Sequence, residues 1–182
     1  MLPKYIILGS DYIGYELHKG LKEYISIEYP SIELIDINIK SPSNLYPEIA
    51  QRMGSVCSNL VYTFKYQCTL NDINDIIGIA ISSSDIGMTI ACNKFPFMRC
   101  AKIDSTDNAK FAKTHCNCNF ISFGSKNIKL ENACDIFKTF LESPNQSECK
   151  CDDCKTDGLY TTINTLMDDI DREVYGNICS PT

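Results

Sequence analysis

The sequence predicts an α/β fold in which a parallel sheet is covered on both faces by helices. Short apolar runs typical of buried strands alternate five times with segments of helical periodicity. Because parallel strands need long connections, this alternation favours right-handed strand–helix–strand units. The 182 residues suffice for one domain with a full core and a short tail. Ligands of such sheets bind beyond the carboxyl ends of the strands, so a site is expected in the turns that follow them.

Each element is predicted by its own local pattern. Apolar residues such as Leu17 and Ile25 recur at helical spacing in the first helix, which Pro30 ends. His18 lies in this helix and is expected at the surface. Residues 62–75 are polar and irregular, and they are predicted to form a loop or a local insertion. The predicted strands are residues 5–8, 32–39, 76–81, 98–103 and 120–123, and the predicted helices are residues 12–29, 46–60, 86–93, 104–115 and 128–141.

The composition changes after the fifth helix, which divides the chain into a domain of residues 1–142 and a tail of residues 143–182. Within the tail, residues 159–174 have an apolar stripe at helical spacing and a polar opposite face. This pattern predicts an extra C-terminal helix. Its stripe has to be buried, either on its own domain or on a second subunit, and both alternatives stay open.

Eleven cysteines are many for a chain of this length. Their odd number and the lack of a secretory pattern favour buried, reduced thiols in a cytoplasmic protein over disulfides. Cys149, Cys151 and Cys154 follow one another closely, and a metal site, a disulfide and free thiols stay open for them. Zinc sites usually combine two pairs of ligands, and only one clear group is present, so no metal is assigned.

Charge and hydropathy exclude two classes of partner. The net charge of −6 argues against a general nucleic-acid binder, which needs clustered Lys and Arg. No stretch approaches the ~20 apolar residues that a membrane-spanning helix requires. The sequence therefore predicts a cytoplasmic protein that binds neither nucleic acid nor membrane, while a local basic pocket for a small phosphate remains possible.

The most informative segment follows the third predicted strand. Ser82, Ser83 and Ser84 lead through Asp85 into a short helix. A turn of small residues that opens a helix presents backbone N–H groups outward, and the helix N-terminus favours negative charge. This arrangement predicts a cradle for a phosphate or for the oxygen of a reacting carbonyl.

Motifs along the domain resemble one known family. They read Gly-Ser-Asp-x-x-Gly at residues 9–14, Ile-Gly-Met-x-Ile-Ala-x-Asn-Lys at 86–94 with Pro96 and Arg99, and His-x-x-x-Asn at 115–119 leading to Phe-Gly-Ser. By their order and spacing the chain resembles the ribose-5-phosphate isomerase B/LacAB sugar-phosphate isomerases. The resemblance implies a Rossmann-like three-layer sandwich with a five-stranded parallel sheet. It also implies a homodimer or homotetramer in which each active site borrows residues from the partner's C-terminal tail.

The resemblance implies aldose–ketose isomerisation of a sugar phosphate through an enediolate, without a cofactor. The family's base looks like a cysteine at the position of Ser82 or a carboxylate at that of Met88, so both usual bases are missing. Asp85 stands where the family has glycine, and a substitute base, repulsion of an anion and capping of the helix are all open for it. Proton transfer is therefore assigned to Asp11, to Asp85 or to a water held by Ser82.

The resemblance assigns further roles residue by residue. His115 matches the histidine credited with opening the sugar ring, and Asp11 matches the aspartate that contacts the sugar. Tyr12 and Lys126 replace a histidine and an arginine of the phosphate site, and Lys150 lies near the position of two tail arginines. The other residues expected to contact substrate are Tyr46, Ser83, Ser84, Ile86, Gly87 and Asn93.

Two functions of different classes follow from these residues. The first is an active aldose–ketose isomerase with a remodelled site. The second is a catalytically inactive relative that keeps the fold for binding or assembly. The sequence leaves the sugar, the oligomer size and the pathway open.

Overall fold

The computed structural model describes residues 2–38, 45–66, 73–145, 149 and 158–175. Its strands are β1 (Tyr5–Ser10), β2 (Glu33–Asn38), β3 (Ile76–Ser82), β4 (Cys100–Lys102) and β5 (Phe120–Gly124). They form one parallel sheet of five strands in the order β2-β1-β3-β5-β4. The helices are α1 (Tyr15–Glu28), α2 (Tyr46–Tyr66), α3 (Ile86–Cys92), α4 (Thr106–Thr114), α5 (Leu130–Glu142) and α6 (Leu159–Tyr175). The predicted α/β class, parallel sheet and extra C-terminal helix are confirmed.

Helices cover both faces of the sheet and make two cores. On one face α1, α4 and α5 pack against the strands, with Phe137 of α5 fully buried at the centre. On the other face α2 and α3 bury Met53 and Met88. All seven residues of β3 are buried, as expected for a central parallel strand packed on both sides.

The bounds of α2 and β4 differ from the prediction. α2 continues to Tyr66 instead of ending at residue 60, because Leu60 and Val61 pack on the second core and the Tyr62 ring meets the Phe97 ring edge-on at 5.8 Å. The predicted irregular segment at residues 62–75 therefore begins as helix. β4 has only three residues, because it lies at the sheet edge and pairs with β5 alone.

α6 is attached to the domain by its polar face. Arg99, which precedes β4, binds Asp168 and Asp171 of this helix. The predicted apolar stripe points away from the domain: Ile170 and Val174 are 51% and 65% exposed. Within the described part of the chain the stripe is therefore not buried on its own domain, which was one of the two predicted alternatives. No helix among the described residues is long and apolar enough to span a bilayer.

Several cysteines are buried in the two cores, as predicted. Cys57, Cys92, Cys100 and Cys118 are buried thiols that form no disulfide. Burial raises the pKa of Cys57 and of Cys118 to about 12, so both stay protonated and unreactive at neutral pH. Cys151 and Cys154 lie outside the described residues.

The prediction that His18 lies at the surface is wrong. The side chain is 1% exposed, and its Nε2 lies 2.8 Å from Oδ1 of Asp36 on β2. Lys22, one turn further along α1, donates to the other oxygen of the same carboxylate. His18 lies on the side of α1 that faces β2, where the Asp36 carboxylate compensates part of the free-energy cost of burying the imidazole. This ion-pair cluster joins the first helix to the edge strand.

This cluster predicts a pH dependence of stability. Burial lowers the pKa of His18 against the opposing effect of Asp36, so the folded state takes up the proton less readily than the unfolded chain. The free energy of unfolding should therefore fall as the pH drops below the ordinary histidine value of about 6.5. Burial by itself would raise the pKa of Asp36, yet its hydrogen bonds with Lys22 and His18 outweigh this and lower it. Its contribution is therefore lost only at still lower pH, below about 4.

Urea unfolding of the wild type and of His18→Gln between pH 8 and pH 5 measures this effect. The glutamine keeps a donor for Asp36 but has no proton to gain. The wild type should lose stability over this range and the variant should lose less. Equal slopes for the two proteins would contradict the assignment to His18.

Candidate active site

The order of the strands places a crevice at the carboxyl ends of β1 and β3. The chain runs from β1 outward to β2, and from β3 it runs to the opposite side of the sheet. Adjacent connections that diverge in this way leave an opening between the loops, which is where ligands bind in open α/β sheets. Asp11 follows β1 and Ser83 follows β3, so the two predicted turns meet at this opening.

Asp11 is buried at the base of the crevice, with 5% of its surface exposed. Its Oδ1 accepts hydrogen bonds from the backbone N–H groups of Ile13 and Gly14, both at 3.0 Å. This turn delays the start of α1 to Tyr15, whereas the periodicity predicted a start at residue 12. Burial raises the pKa of Asp11, although hydrogen bonds from Gly14, Ile13 and Ser83 oppose the shift. A carboxylate with a raised pKa that is tied to both turns is well suited to proton transfer.

The turn after β3 is held by hydrogen bonds to its neighbours. The Ser82 hydroxyl accepts from the backbone N–H of Asp85 at 3.2 Å, and the Ser82 carbonyl accepts from Ser125 N–H at 2.8 Å. Ser83 is half-buried, and Ser84 is exposed at the tip of the turn. The hydroxyl of Ser82 thus supports the turn and takes up the N–H of Asp85, one of the donors expected to face outward.

Asp85 adopts a backbone conformation that glycine takes more easily. Its φ of 61° and ψ of −35°, with Ile86 N–H donating to the Ser84 carbonyl at 2.7 Å, describe a γ-turn of the strained kind. The side chain makes no capping hydrogen bond to α3, so the capping interpretation is not supported. Its carboxylate is instead enclosed beside Gly124, with Oδ2 lying 3.8 Å from Lys102 Nζ and Oδ1 without a hydrogen-bond partner.

Replacing Asp85 with glycine is expected to stabilise the protein. Glycine relieves a strain of about 1–3 kcal/mol and removes a carboxyl whose pKa burial raises, while the unfolded chain gains about 0.5–1 kcal/mol of entropy. We expect a net gain of about 1 kcal/mol in the free energy of unfolding by urea titration. Asp85→Asn is the matched control, because it removes the charge but keeps the Cβ and the strain. A glycine variant no more stable than the asparagine variant would contradict a strained turn.

The rim of the crevice is formed by residues from several segments. Tyr46 opens α2 and lies over Gly87, where an added Cβ would sit 2.7 Å from the tyrosine Cζ. Tyr12 and Lys126 are exposed, and Lys126 follows β5 on the same edge of the sheet. Ile86 is 57% exposed at the start of α3. These predicted substrate contacts therefore surround the same opening as Asp11 and the turn after β3.

Two of the predicted site residues lie at the opposite end of the sheet, near the amino ends of the strands. His115 ends α4 and Asn93 ends α3, and both helices run back from the carboxyl ends of the strands to their amino ends. The Asn93 amide bonds the N–H and the carbonyl of Cys100 at 2.9 and 2.8 Å, so it fixes the start of β4. Within one chain neither side chain lies near Asp11. Lys150 lies outside the described residues.

Sequence reasoning missed two polar residues near the crevice. Lys102 ends β4 and bridges the carboxylates of Asp85 and Asp104. Ser10 ends β1, and its buried hydroxyl has no hydrogen-bond partner. The usable signal for Lys102 was its position at the carboxyl end of a predicted strand, and that for Ser10 was its place in the Gly-Ser-Asp motif. Across the described ranges, no cluster of three or more His, Cys, Asp or Glu side chains could hold a metal ion.

Comparison with known proteins agrees with this geometry. The chain matches the family model described as Ribose/Galactose Isomerase over residues 6–153. Ribose-5-phosphate isomerase B of Mycolicibacterium paratuberculosis is 34% identical over 143 residues, covering 76% of this chain and 79% of the relative. Ribose-5-P isomerase B of Listeria innocua is 27% identical over 172 residues, covering 92% and 97%. The structure of ribose 5-phosphate isomerase B from Anaplasma phagocytophilum superposes with a TM-score of 0.67 at 27% identity, covering 81% of this chain and 91% of that one. The resemblance expected from the motifs is confirmed, and the chain belongs to the ribose/galactose isomerase family.

Proposed function

We propose that the protein interconverts an aldose phosphate and a ketose phosphate of the ribose 5-phosphate and ribulose 5-phosphate type. The observation that carries this proposal is the buried carboxylate of Asp11, which lies at the opening between β1 and β3 and is bonded to both turns. Asp11 removes the proton from the carbon next to the carbonyl. The electron pair of the broken C–H bond forms the carbon–carbon double bond of an enediolate, and the π electrons of the carbonyl move onto its oxygen. The hydroxyl proton then passes between the two oxygens, Asp11 returns its proton to the former carbonyl carbon, and the other oxygen becomes the new carbonyl.

The backbone of the turn after β3 stabilises the enediolate oxygens. Asp85 holds the glycine-like conformation of this turn, and its side chain is directed toward Gly124. The carboxylate is therefore kept out of the cradle and is not our candidate for the base. The N–H groups of Asp85 and Ile86 are bonded to Ser82 and Ser84, so the candidate donors are the N–H groups of Ser84 and Gly87. Fixed N–H donors stabilise a developing oxyanion without reorganising during the reaction.

A second subunit completes the site in this proposal. His115 and Asp11 lie at opposite ends of one sheet, so an imidazole that opens the sugar ring has to come from another copy of the chain. The exposed stripe of α6 gives such a copy an apolar surface to bury. We therefore infer a homodimer or homotetramer. Tyr12, Lys126 and the tail residue Lys150 are the candidates for the phosphate.

The test is a direct assay of purified protein with ribose 5-phosphate, following formation of ribulose 5-phosphate. Turnover would support the isomerase. Binding of pentose or hexose phosphates without turnover would favour the inactive relative, which the serine at position 82 and the fully buried Met88 make the second candidate. Absence of both turnover and binding would overturn the isomerase proposal.

A further inference from the structure

The C-terminal helix α6 lies directly against His115. The Tyr160 ring is 4.4 Å from the imidazole, centroid to centroid, with 40° between the planes. Phe111, one turn earlier on α4, contacts the imidazole at 4.8 Å. The rings of Phe111 and Tyr160 also meet edge-on at 6.2 Å. The imidazole therefore belongs to a three-ring cluster to which α4 contributes two members and the tail helix the third.

The same helix also holds the backbone of this residue. The amide of Asn164, which is only 6% exposed, donates to the His115 carbonyl at 3.1 Å. One turn further on, Asp168 and Asp171 bind the guanidinium of Arg99. The three attachments are spaced along one face of α6, so the helix is fixed in position relative to the end of α4.

These contacts differ from ordinary core packing. The face of α6 toward the domain carries Tyr160, Asn164 and the two aspartates. The exposed apolar side chains on this helix are Ile163, Leu166, Met167, Ile170 and Val174. A helix that only added stability would be expected to bury its apolar stripe on the domain. Two of the three attachments of α6, by Tyr160 and Asn164, are instead to His115 itself.

We propose that Tyr160 and Asn164 are positioning residues for His115, and that α6 thereby sets the orientation in which the imidazole acts. This inference rests on the proposed isomerase function. An imidazole at a helix end can turn about two side-chain bonds, and a misplaced proton-transfer group costs up to about 100-fold in rate. Packing against Tyr160 restricts the ring, and the hydrogen bond from Asn164 fixes the peptide that carries it.

The test compares Tyr160→Ala, Tyr160→Phe and Asn164→Ala in the full-length protein, with ribose 5-phosphate as substrate. Tyr160→Ala should lower kcat about 10-fold and leave KM nearly unchanged, because orientation and not binding is lost. Tyr160→Phe keeps the ring and should retain the wild-type kcat. Asn164→Ala should lower kcat in the same direction. Thr165→Ala, exposed on the same helix, is the matched control and should change neither constant.

A double variant separates positioning from a general structural effect. In a His115→Ala background, Tyr160→Ala should cause no further loss of kcat, because there is no imidazole left to orient. An equal loss with and without His115 would overturn the proposal, and so would an unchanged kcat in Tyr160→Ala.

A second measurement does not depend on activity. The chain has two histidines, so NMR of the imidazole signals follows His115 directly. Tyr160→Ala should shift and broaden the His115 ring signals and leave those of His18 in place. Unchanged His115 signals would overturn the proposal even in a protein without turnover, whereas a shift without turnover would count against the proposed function alone.

Discussion

Asp11→Asn is expected to reduce isomerase turnover by about 10²- to 10⁴-fold, the usual contribution of a positioned base. The asparagine oxygen can still accept the hydrogen bonds from Ile13 and Gly14, so the turn and the start of α1 should persist. The amide cannot take up a proton from carbon. The measurement is kcat with ribose 5-phosphate, together with the thermal unfolding midpoint of the variant.

The pH dependence gives a second check on Asp11. Since burial raises the pKa of this carboxyl above the ordinary 3.8, the base should lose its charge at a higher pH than an exposed aspartate. Turnover of the wild type should therefore fall on the acid side as the pH drops through that raised value. Asp107→Asn, an exposed carboxylate in the first turn of α4, is the matched control and should keep full activity. Wild-type turnover in Asp11→Asn would contradict the proposed role.

Gly78→Ala is expected to destabilise the protein more than any other single methyl group added in the sheet. Gly78 on β3 pairs with Phe120 on β5, and an added Cβ would sit 1.9 Å from two atoms of the phenylalanine ring. That ring is fully buried and belongs to the second core, so it has no free space to move into. We expect a loss of about 3 kcal/mol in the free energy of unfolding, at the upper end of the usual cost of overpacking.

The double variant Gly78→Ala/Phe120→Ala tests the cause. Phe120→Ala by itself should cost about 3–5 kcal/mol, and the double variant should lose clearly less than the two single losses added together. Gly20→Ala is the matched control, because its Cβ would come within 2.5 Å of Leu130, a partly exposed side chain at the start of α5. That side chain can turn away, so this variant should be close to neutral. Additive losses in the double variant would contradict the steric explanation.

Much of the fold followed from local patterns. Buried parallel strands are apolar throughout, and α1 and α5 place apolar residues at helical spacing, so these elements were predictable within a few residues. The end of α2 was not, because its last turns are stabilised by contacts with Phe97 and the second core, which are distant in sequence. The same reason explains His18, whose partner Asp36 lies on another element.

The candidate site was predicted in its parts but not in its arrangement. The motifs indicated Asp11, the serine turn and Lys126, and the parallel topology places them at one edge of the sheet. The enclosed position of Asp85 depends on Lys102 and Gly124, which come from two other strands. No pattern within residues 82–94 could show that this side chain is enclosed beside Gly124.

The sequence by itself determined the α/β class, the family and the candidate residues, because these depend on periodicity and motif spacing along one chain. Only the tertiary structure decided which candidates share a crevice. It joined Asp11 to the turn after β3, enclosed the Asp85 carboxylate beside Lys102, and set His115 at the far end under Tyr160. The physical reason is that burial, pairing and distance are set by contacts between elements far apart in the chain, which no local pattern records.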